Sequence, residues 1–539
     1  MSARDLDPAA RAIRPTMPVP AERADAYRAA RLWDDRRLAD GVELAAEQKP
    51  DAVAVSDNER SLTWRELSQR VNAGVGVLSA AGVRSEAAVV LISGNTAEGV
   101  VAYHAILRAG ATCIALDRRC GAGDLRHALE VAGPDAAVAL PGRESERLRA
   151  DLAGIRSIPL ETFGRAASAG STERAVPEPD RDAPAVVLFT SGTTRRAKAV
   201  IHSLNTLTAG ARNMARITGA DASAIAFLVS PLTSITGIMQ MHLVADQHAA
   251  LVLEDRFDEE ASLDRINAHR ATLLGGAPVI VERLLRAATA RADRRIALRT
   301  LALGGAMLPL PLLELATDTF GIEVARVYGS SEAPNATGSL PEDDRARRLL
   351  DDGALLPGTE VRVGSKEHAQ EGLLRGPAVF LGYVDPGDTA AAFEDGWYRT
   401  GDAVEIQGDR LTVVGRLKDV VNRNGLKISL AEVDGALARL PGVVECACFG
   451  LPDEATGERL AVAIRAEAGR EIALEAVTLH LQSSGLAVRK LPEQLVIWQE
   501  PLPRTASGKI IRNRLAMESA GKPSLFAARL GDAVSARNP

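Results

Sequence analysis

Short apolar runs alternate with amphipathic stretches along most of the chain. Ala52–Val55 reads as a strand, a turn follows at 57–59, and Leu62, Leu67, Val71 and Val75 recur at helical spacings. Val89–Ile92 reads as a second strand, Val100–Leu107 as a helix, and Ala111–Leu116, after Gly110, as a third strand. Strand, helix and strand joined by crossovers of this length predict parallel α/β layering. The pattern continues at Ala136–Leu140, Val186–Thr190, Ala224–Ser230, Ala249–Glu254 and Leu301–Gly304. Residues 350–415 hold short segments rich in Gly and Pro, which suit a small β-rich subdomain. Beyond Gly415, strands at Val443–Gly450 and Leu460–Arg465 with helices over 430–440 and 471–484 predict a compact α+β domain. The expected order is an arm and leading helix over 1–45, a large α/β body over 46–415, a hinge near Lys418, a small C-terminal domain over 419–520 and a weakly held tail over 521–539.

Composition narrows the class. The 539 residues are 46% apolar and 25% charged, which excludes wholesale disorder. Sixty-four Lys and Arg against 70 Asp and Glu leave a net charge of -6, so no broad basic face for nucleic acid is expected. The longest apolar runs, such as Ala224–Val229, are too short to span a bilayer. The opening MSARDLDPAARAIRPTMPVP has no apolar core of the kind a secretion signal needs, so a cytoplasmic chain is expected. Four cysteines exclude a disulfide scaffold. Cys446 and Cys448 alternate on one face of a strand, and no nearby histidine or cysteine pair completes a metal set.

Five segments carry chemistry. Thr190-Ser191-Gly192-Thr193-Thr194 follows an apolar strand and offers hydroxyls and backbone N–H groups with little bulk, with Lys198 as a nearby point charge. Such a run suits phosphate oxygens; a Ser/Thr-rich surface turn is the competing reading. Tyr328-Gly329-Ser330-Ser331-Glu332 ends a buried strand: a ring for a nucleobase and a carboxylate for Mg²⁺, or a core tyrosine followed by a capped helix. Asp402, ending Trp397-Tyr398-Arg399-Thr400-Gly401, is able to accept two ribose hydroxyls, and Arg416 to bind phosphate or ribose. Lys418 falls at the expected domain boundary. Lys509 closes a proline-rich approach, Pro501 to Gly508, where it would neutralise charge growing on an acyl phosphate. A solvated turn remains the alternative for each of these taken alone.

In order and spacing together, these segments resemble the motifs of the adenylate-forming superfamily: acyl-CoA synthetases, the adenylation domains of nonribosomal peptide synthesis, and firefly luciferase. The resemblance runs from about residue 45 to 515 and includes Leu62–Leu67, Ala105–Gly110, Gly304-Gly305-Ala306 and Gly376–Tyr383. It implies a large body with a small C-terminal domain that swings between two half-reactions, acyl-AMP formation from ATP and capture by a thiol, usually of coenzyme A. It further implies that Thr190 to Thr194 with Lys198 hold phosphates, that Tyr328, with Gly329, Ser330 and Ser331, takes the adenine side, and that Glu332 positions Mg²⁺. Asp402 and Arg416 would hold ribose, Lys418 would be the hinge, and Lys509 would bridge carboxylate and α-phosphate. The stretch from Asn424 through Gly425 and Lys427, with Glu432, resembles the loop that enters for thioester formation. Ser234, Ile235, Gly304, Gly305 and Ala306 would line the acid pocket.

The chain departs from the pattern at Arg195, Ala197 and Ala199, where a glycine, a proline and a glycine are usual around the lysine, and at Ser234, where a ring is usual. The stretch 190–240, with Ser203, Asn205 and Thr206, resembles that of ligases for medium-chain, alicyclic or aryl acids; the small pocket residues suit a fairly deep cavity, and no Asp is placed to clamp an amino group. Free coenzyme A is the expected acceptor. A separate acyl carrier protein, or a nucleotide-binding homologue without catalysis, are the alternatives, and a homodimer is left open.

Overall fold

The computed structural model describes residues 13–35, 40–133, 136–165, 179–190, 197–304, 308, 310–417, 419–424, 426–504 and 510–528, with Lys427 in backbone only. The chain forms two compact units. One holds most of the chain up to Tyr398; the other holds Arg399 onward together with the helix Leu310–Glu314 and the segment Arg362–Leu373.

Two sheets build the N-terminal unit. In the first, the strands lie in the order Arg156–Pro159, Ala137–Leu140, Ala88–Ser93, Thr112–Asp117, Pro184–Thr190 and Lys198–Ser203. All neighbours are parallel except the last pair. In the second, Glu323–Tyr328, Thr300–Gly304, Leu273–Gly276, Ile225–Leu228, Ala250–Leu253 and Val53–Ser56 run parallel in that order. The parallel α/β layering read from the alternating runs is therefore what the chain adopts.

Between the sheets lies the helix Ala97–Arg108, whose sequence AEGVVAYHAILR is apolar on nearly all sides and buries every residue but Glu98. It shares one core with Leu91 of the first sheet and with Val55 and Leu251 of the second. The neighbouring helix Trp64–Ala80 carries Leu67, Val71 and Val75 as the spacing predicted, but Leu62 belongs to the strand Ser61–Thr63, because a capping box between Thr63 and Glu66 starts the helix after it.

The leading segment is not a loose arm from residue 13 onward. The backbone N–H groups of Thr16 and Met17 donate to Leu381 O (3.1 and 2.9 Å), and the Trp33 indole donates to Pro377 O at 2.9 Å. Two helices follow, Ala21–Ala29 and Gly41–Gln48, rather than one.

In the C-terminal unit the long strands Val443–Asp453 and Gly457–Ala466 pair antiparallel, and Gln494–Ile497 adds in parallel. Cys448 and Cys446 face the helices Leu430–Leu437 and Leu474–Ser483, while Ala447 and Phe449 face Trp498 and Leu515. All four cysteines are free thiols. The expected tail begins too early: Ser524–Phe526 is an edge strand on Gln494–Ile497, because its backbone completes that strand's open ladder. Among the described residues no helix is long and apolar enough to cross a membrane.

Candidate active site

Parallel strands gather their chemistry at their carboxyl ends. Thr190 ends a strand of the first sheet, and Gly304 and Tyr328 end adjacent strands of the second. Thr190 pairs directly with Lys198, so these two residues end the antiparallel pairing of their strands. Ser191, Gly192, Thr193, Thr194, Arg195 and Arg196 lie outside the described residues.

Past this strand pair the segment 380–384 runs antiparallel to Lys198–Ser203, joined by Ile201 N to Gly382 O at 3.0 Å and Leu381 N to Ile201 O at 2.8 Å. That places Tyr383 beside Lys198, whose Nζ lies 4.8 Å from the ring centroid and 3.1 Å from Asp388 Oδ1. The Tyr383 hydroxyl donates to Glu332 Oε1 at 2.8 Å. Lys198 and Glu332, far apart in sequence, are thus brought together through one buried ring. Burial first, and then the Glu332 carboxylate, push the Tyr383 phenol far up, so it stays a donor. Phe380 and Tyr398 back this pair, with ring centroids of Phe380 4.9 Å from Tyr383 and 5.3 Å from Tyr398.

Glu332 closes a tight turn rather than a capped helix. Ser330 Oγ accepts from the N–H groups of both Glu332 and Ala333, at 3.2 Å each. A Cβ on Gly329 would lie 2.6 Å from Asn335 N and 2.7 Å from Ala333 O, so this close return admits only glycine. Asn335 itself sits at φ 51° and donates through Nδ2 to Gly210 O at 2.8 Å. Behind the turn, His202 is fully buried between Ser331 O (2.7 Å from Nε2) and Thr206 Oγ1 (3.0 Å from Nδ1). A carbonyl only accepts, so Nε2 carries the proton and Nδ1 is the acceptor facing the Thr206 hydroxyl, which also donates to Ser203 O at 3.0 Å. Burial pulls the His202 pKa down to about 4, against the opposing bond to Ser331.

Ser234 caps the helix Ile235–Gln247: its hydroxyl accepts from Gly237 N at 3.2 Å and donates to Pro231 O at 2.7 Å. Ile235 packs half-buried on the main core. Gly304 runs so close to the next strand that a Cβ would lie 2.1 Å from Val327 O. Gly305 and Ala306 lie outside the described residues.

The second unit holds Asp402 and Arg416 as register partners on antiparallel strands, with Arg416 Nε 3.1 Å from Asp402 Oδ1. Asp402 is 5% exposed. Its approach is fixed by Thr400, which donates to Gly372 O at 2.7 Å, and by Arg399, whose guanidinium grips Glu371 and Glu367 at 2.9 Å. In the hairpin before Glu432, Asn424 sits at φ 52°, and Glu432 pairs with Lys490 Nζ at 2.6 Å. Arg504 and Ile510, on either side of Lys509 in sequence, form a bridge. Lys418, Gly425 and Lys509 lie outside the described residues, as does the side chain of Lys427.

Tyr383 and His202, to which the motifs assigned no role, bond Glu332 and Ser331. Tyr383 ended a recognised stretch, but its partner stands 51 positions away, and only the fold reveals it. Among the described residues no cluster of three or more His, Cys, Asp or Glu forms a metal cage of its own.

The model of the AMP-binding enzyme family matches residues 42–384, and that of the AMP-binding enzyme C-terminal domain matches 432–509. The chain is 31% identical over 550 residues to a salicylyl-CoA synthase / salicylate adenylyltransferase of Streptomyces sp, covering 94% of this chain and 98% of that protein. It is 32% identical over 512 residues to a methyl-dioxo-octahydro-indenyl-propanoyl:CoA ligase of Mycobacterium tuberculosis, covering 89% and 99%. The crystal structure of ATP-bound MatB from Rhodopseudomonas palustris superposes with a TM-score of 0.80 at 25% identity, covering 88% of this chain and 98% of that one. The chain therefore belongs to the AMP-binding enzyme family, the adenylate-forming superfamily, as an AMP-forming acid–thiol ligase of the acyl-CoA synthetase branch.

Proposed function

We propose that this chain activates an aryl or alicyclic carboxylic acid with ATP and passes the acyl group to coenzyme A. The observation that carries the reading is the Lys198–Tyr383–Glu332 constellation at the carboxyl ends of the strands. It sets a cation for phosphate beside a carboxylate for a divalent metal. The two relatives named above act, by their names, on a hydroxybenzoic acid and on a fused-ring alicyclic acid.

In the first half-reaction the substrate carboxylate oxygen bonds to the α-phosphorus of ATP, and pyrophosphate leaves. In the second, the coenzyme A thiolate bonds to the acyl carbon and AMP leaves. Lys198, with Thr190 to Thr194, neutralises phosphate charge; Asp402 and Arg416 bind ribose; Tyr328 packs on adenine. Lys509 offsets the repulsion as two anions meet in the first step. The hairpin of Gly425 and Lys427 serves the second.

Glu332 fits Mg²⁺. It is a nearly buried, oxygen-only ligand to which, among the described residues, Tyr383 is the one side-chain donor. A lone protein carboxylate suits an ion that keeps waters and shares substrate phosphates. Bound there, Mg²⁺ would supply charge neutralisation on the phosphates.

The test is a panel of aryl, alicyclic and medium-chain acids with ATP, Mg²⁺ and coenzyme A, read as AMP release and thioester by mass spectrometry. An acid-dependent thioester is the expected result. Acid-dependent pyrophosphate exchange without a coenzyme A thioester would point to a carrier-protein acceptor. No AMP from any acid would overturn the reading.

A further inference from the structure

Tyr383 touches both halves of the phosphate chemistry. The residue is 4% exposed, and its backbone is held on both sides. Its N–H donates to Thr389 Oγ1 at 2.9 Å, its carbonyl accepts from the hydroxyl of Thr16, and it bridges Val200 of the phosphate-loop strand. From that fixed ring the hydroxyl reaches Glu332 at 2.8 Å while the π-face meets Lys198 Nζ at 4.8 Å. A phenol donating to one oxygen of a carboxylate fixes the plane of the group. An ammonium over an aromatic face is held by the ring's quadrupole without being neutralised.

We infer that Tyr383 is a positioning residue with two separable actions. Its hydroxyl orients Glu332 toward the metal of a metal–ATP complex, and its ring face, with Asp388, holds Lys198 ready for phosphate. The inference rests on the nucleotide-binding reading above. It predicts that the two actions respond to different substitutions. Tyr383→Phe keeps the ring, so it removes only the orientation of Glu332. Tyr383→Leu removes the ring as well, so the lysine loses its seat.

The test is calorimetric titration of the purified full-length chain with ATP in EDTA and with Mn²⁺·ATP. Tyr383→Phe is expected to weaken Mn²⁺·ATP by about fivefold, the scale of one lost hydrogen bond, and to leave metal-free ATP unchanged. Tyr383→Leu is expected to weaken both. If Tyr383→Phe binds both forms as the wild type does, or loses both equally, the proposal is overturned. The phenylalanine variant alone decides the matter should Tyr383→Leu not fold. A wild-type chain that binds ATP in neither form would instead overturn the functional reading on which the proposal stands.

Discussion

Acid should undo the N-terminal unit through its buried histidines, and His202 offers the most separable measure. Its imidazole is enclosed between a carbonyl and a hydroxyl, with no carboxylate against it among the described residues. The folded state therefore binds a proton poorly: the pKa falls from 6.5 to about 4, chiefly through burial. The unfolded chain takes up the proton first as pH drops. Stability from this group is complete above pH 6.5 and drains away as pH falls towards about 4. At about 1.4 kcal/mol per tenfold change in proton affinity, the loss is about 3 kcal/mol. That is a large part of a typical folding free energy of roughly 5–15 kcal/mol. The assay is urea unfolding of wild type and His202→Gln at steps from pH 7 to pH 4. The variant is less stable at pH 7, and the gap should close by about 3 kcal/mol on acidification. A gap that stays constant across the range would refute the reasoning. His104 and His242, drawn down by burial to about 4 and about 3, add to the wild-type slope in the same direction. They lie 6.3 Å apart and do not titrate independently.

Four further outcomes are expected. Gly304→Ala drives a Cβ to 2.1 Å from the Val327 carbonyl, a backbone atom that cannot rotate away, and should cost about 3 kcal/mol and lower the melting temperature by calorimetry. Gly76→Ala, on an open helix face, should leave it unchanged or raise it. Ser234→Ala removes the cap of the helix Ile235–Gln247 and should destabilise by about 1 kcal/mol, measured by chemical denaturation. Lys509→Ala should abolish pyrophosphate exchange yet largely spare thioester formation from supplied acyl-AMP; equal loss in both steps would remove the lysine from the assigned role.

Elements whose signal is local were legible in the sequence. Ala88–Ser93 and Thr112–Asp117 are short apolar runs bounded by turns, and such runs form buried parallel strands whatever surrounds them. Thr63 and Glu66 declare a helix start three residues apart. The family motifs singled out Thr190, Lys198, Glu332 and Asp402, which stand at the end of one strand, at the start of the next, in the turn after Tyr328 and inside the strand Trp397–Gln407, but the motifs do not give the contacts that Lys198 and Glu332 make with Tyr383. Tyr383 reads as an ordinary aromatic, because its two roles come from segments that only the packed sheets bring alongside. Ser234 reads as a pocket residue, and its local hydrogen bonds make it a helix cap too. Ser524–Phe526 was hidden for a related reason: three residues carry little periodicity, and the edge they complete lies some thirty positions upstream.

The pinned leading segment has a practical consequence. Thr16 grips the carbonyl of Tyr383, and a side chain on Gly382 would strike the Thr16 hydroxyl, so the segment around Thr16 is a wedge under the backbone of the positioning tyrosine. Trimming the gene to begin after Pro20, a common step in making expression clones, would withdraw that wedge. Such a shortened protein should melt normally in the C-terminal unit and still handle nucleotide poorly, a defect easily mistaken for the wrong choice of substrate.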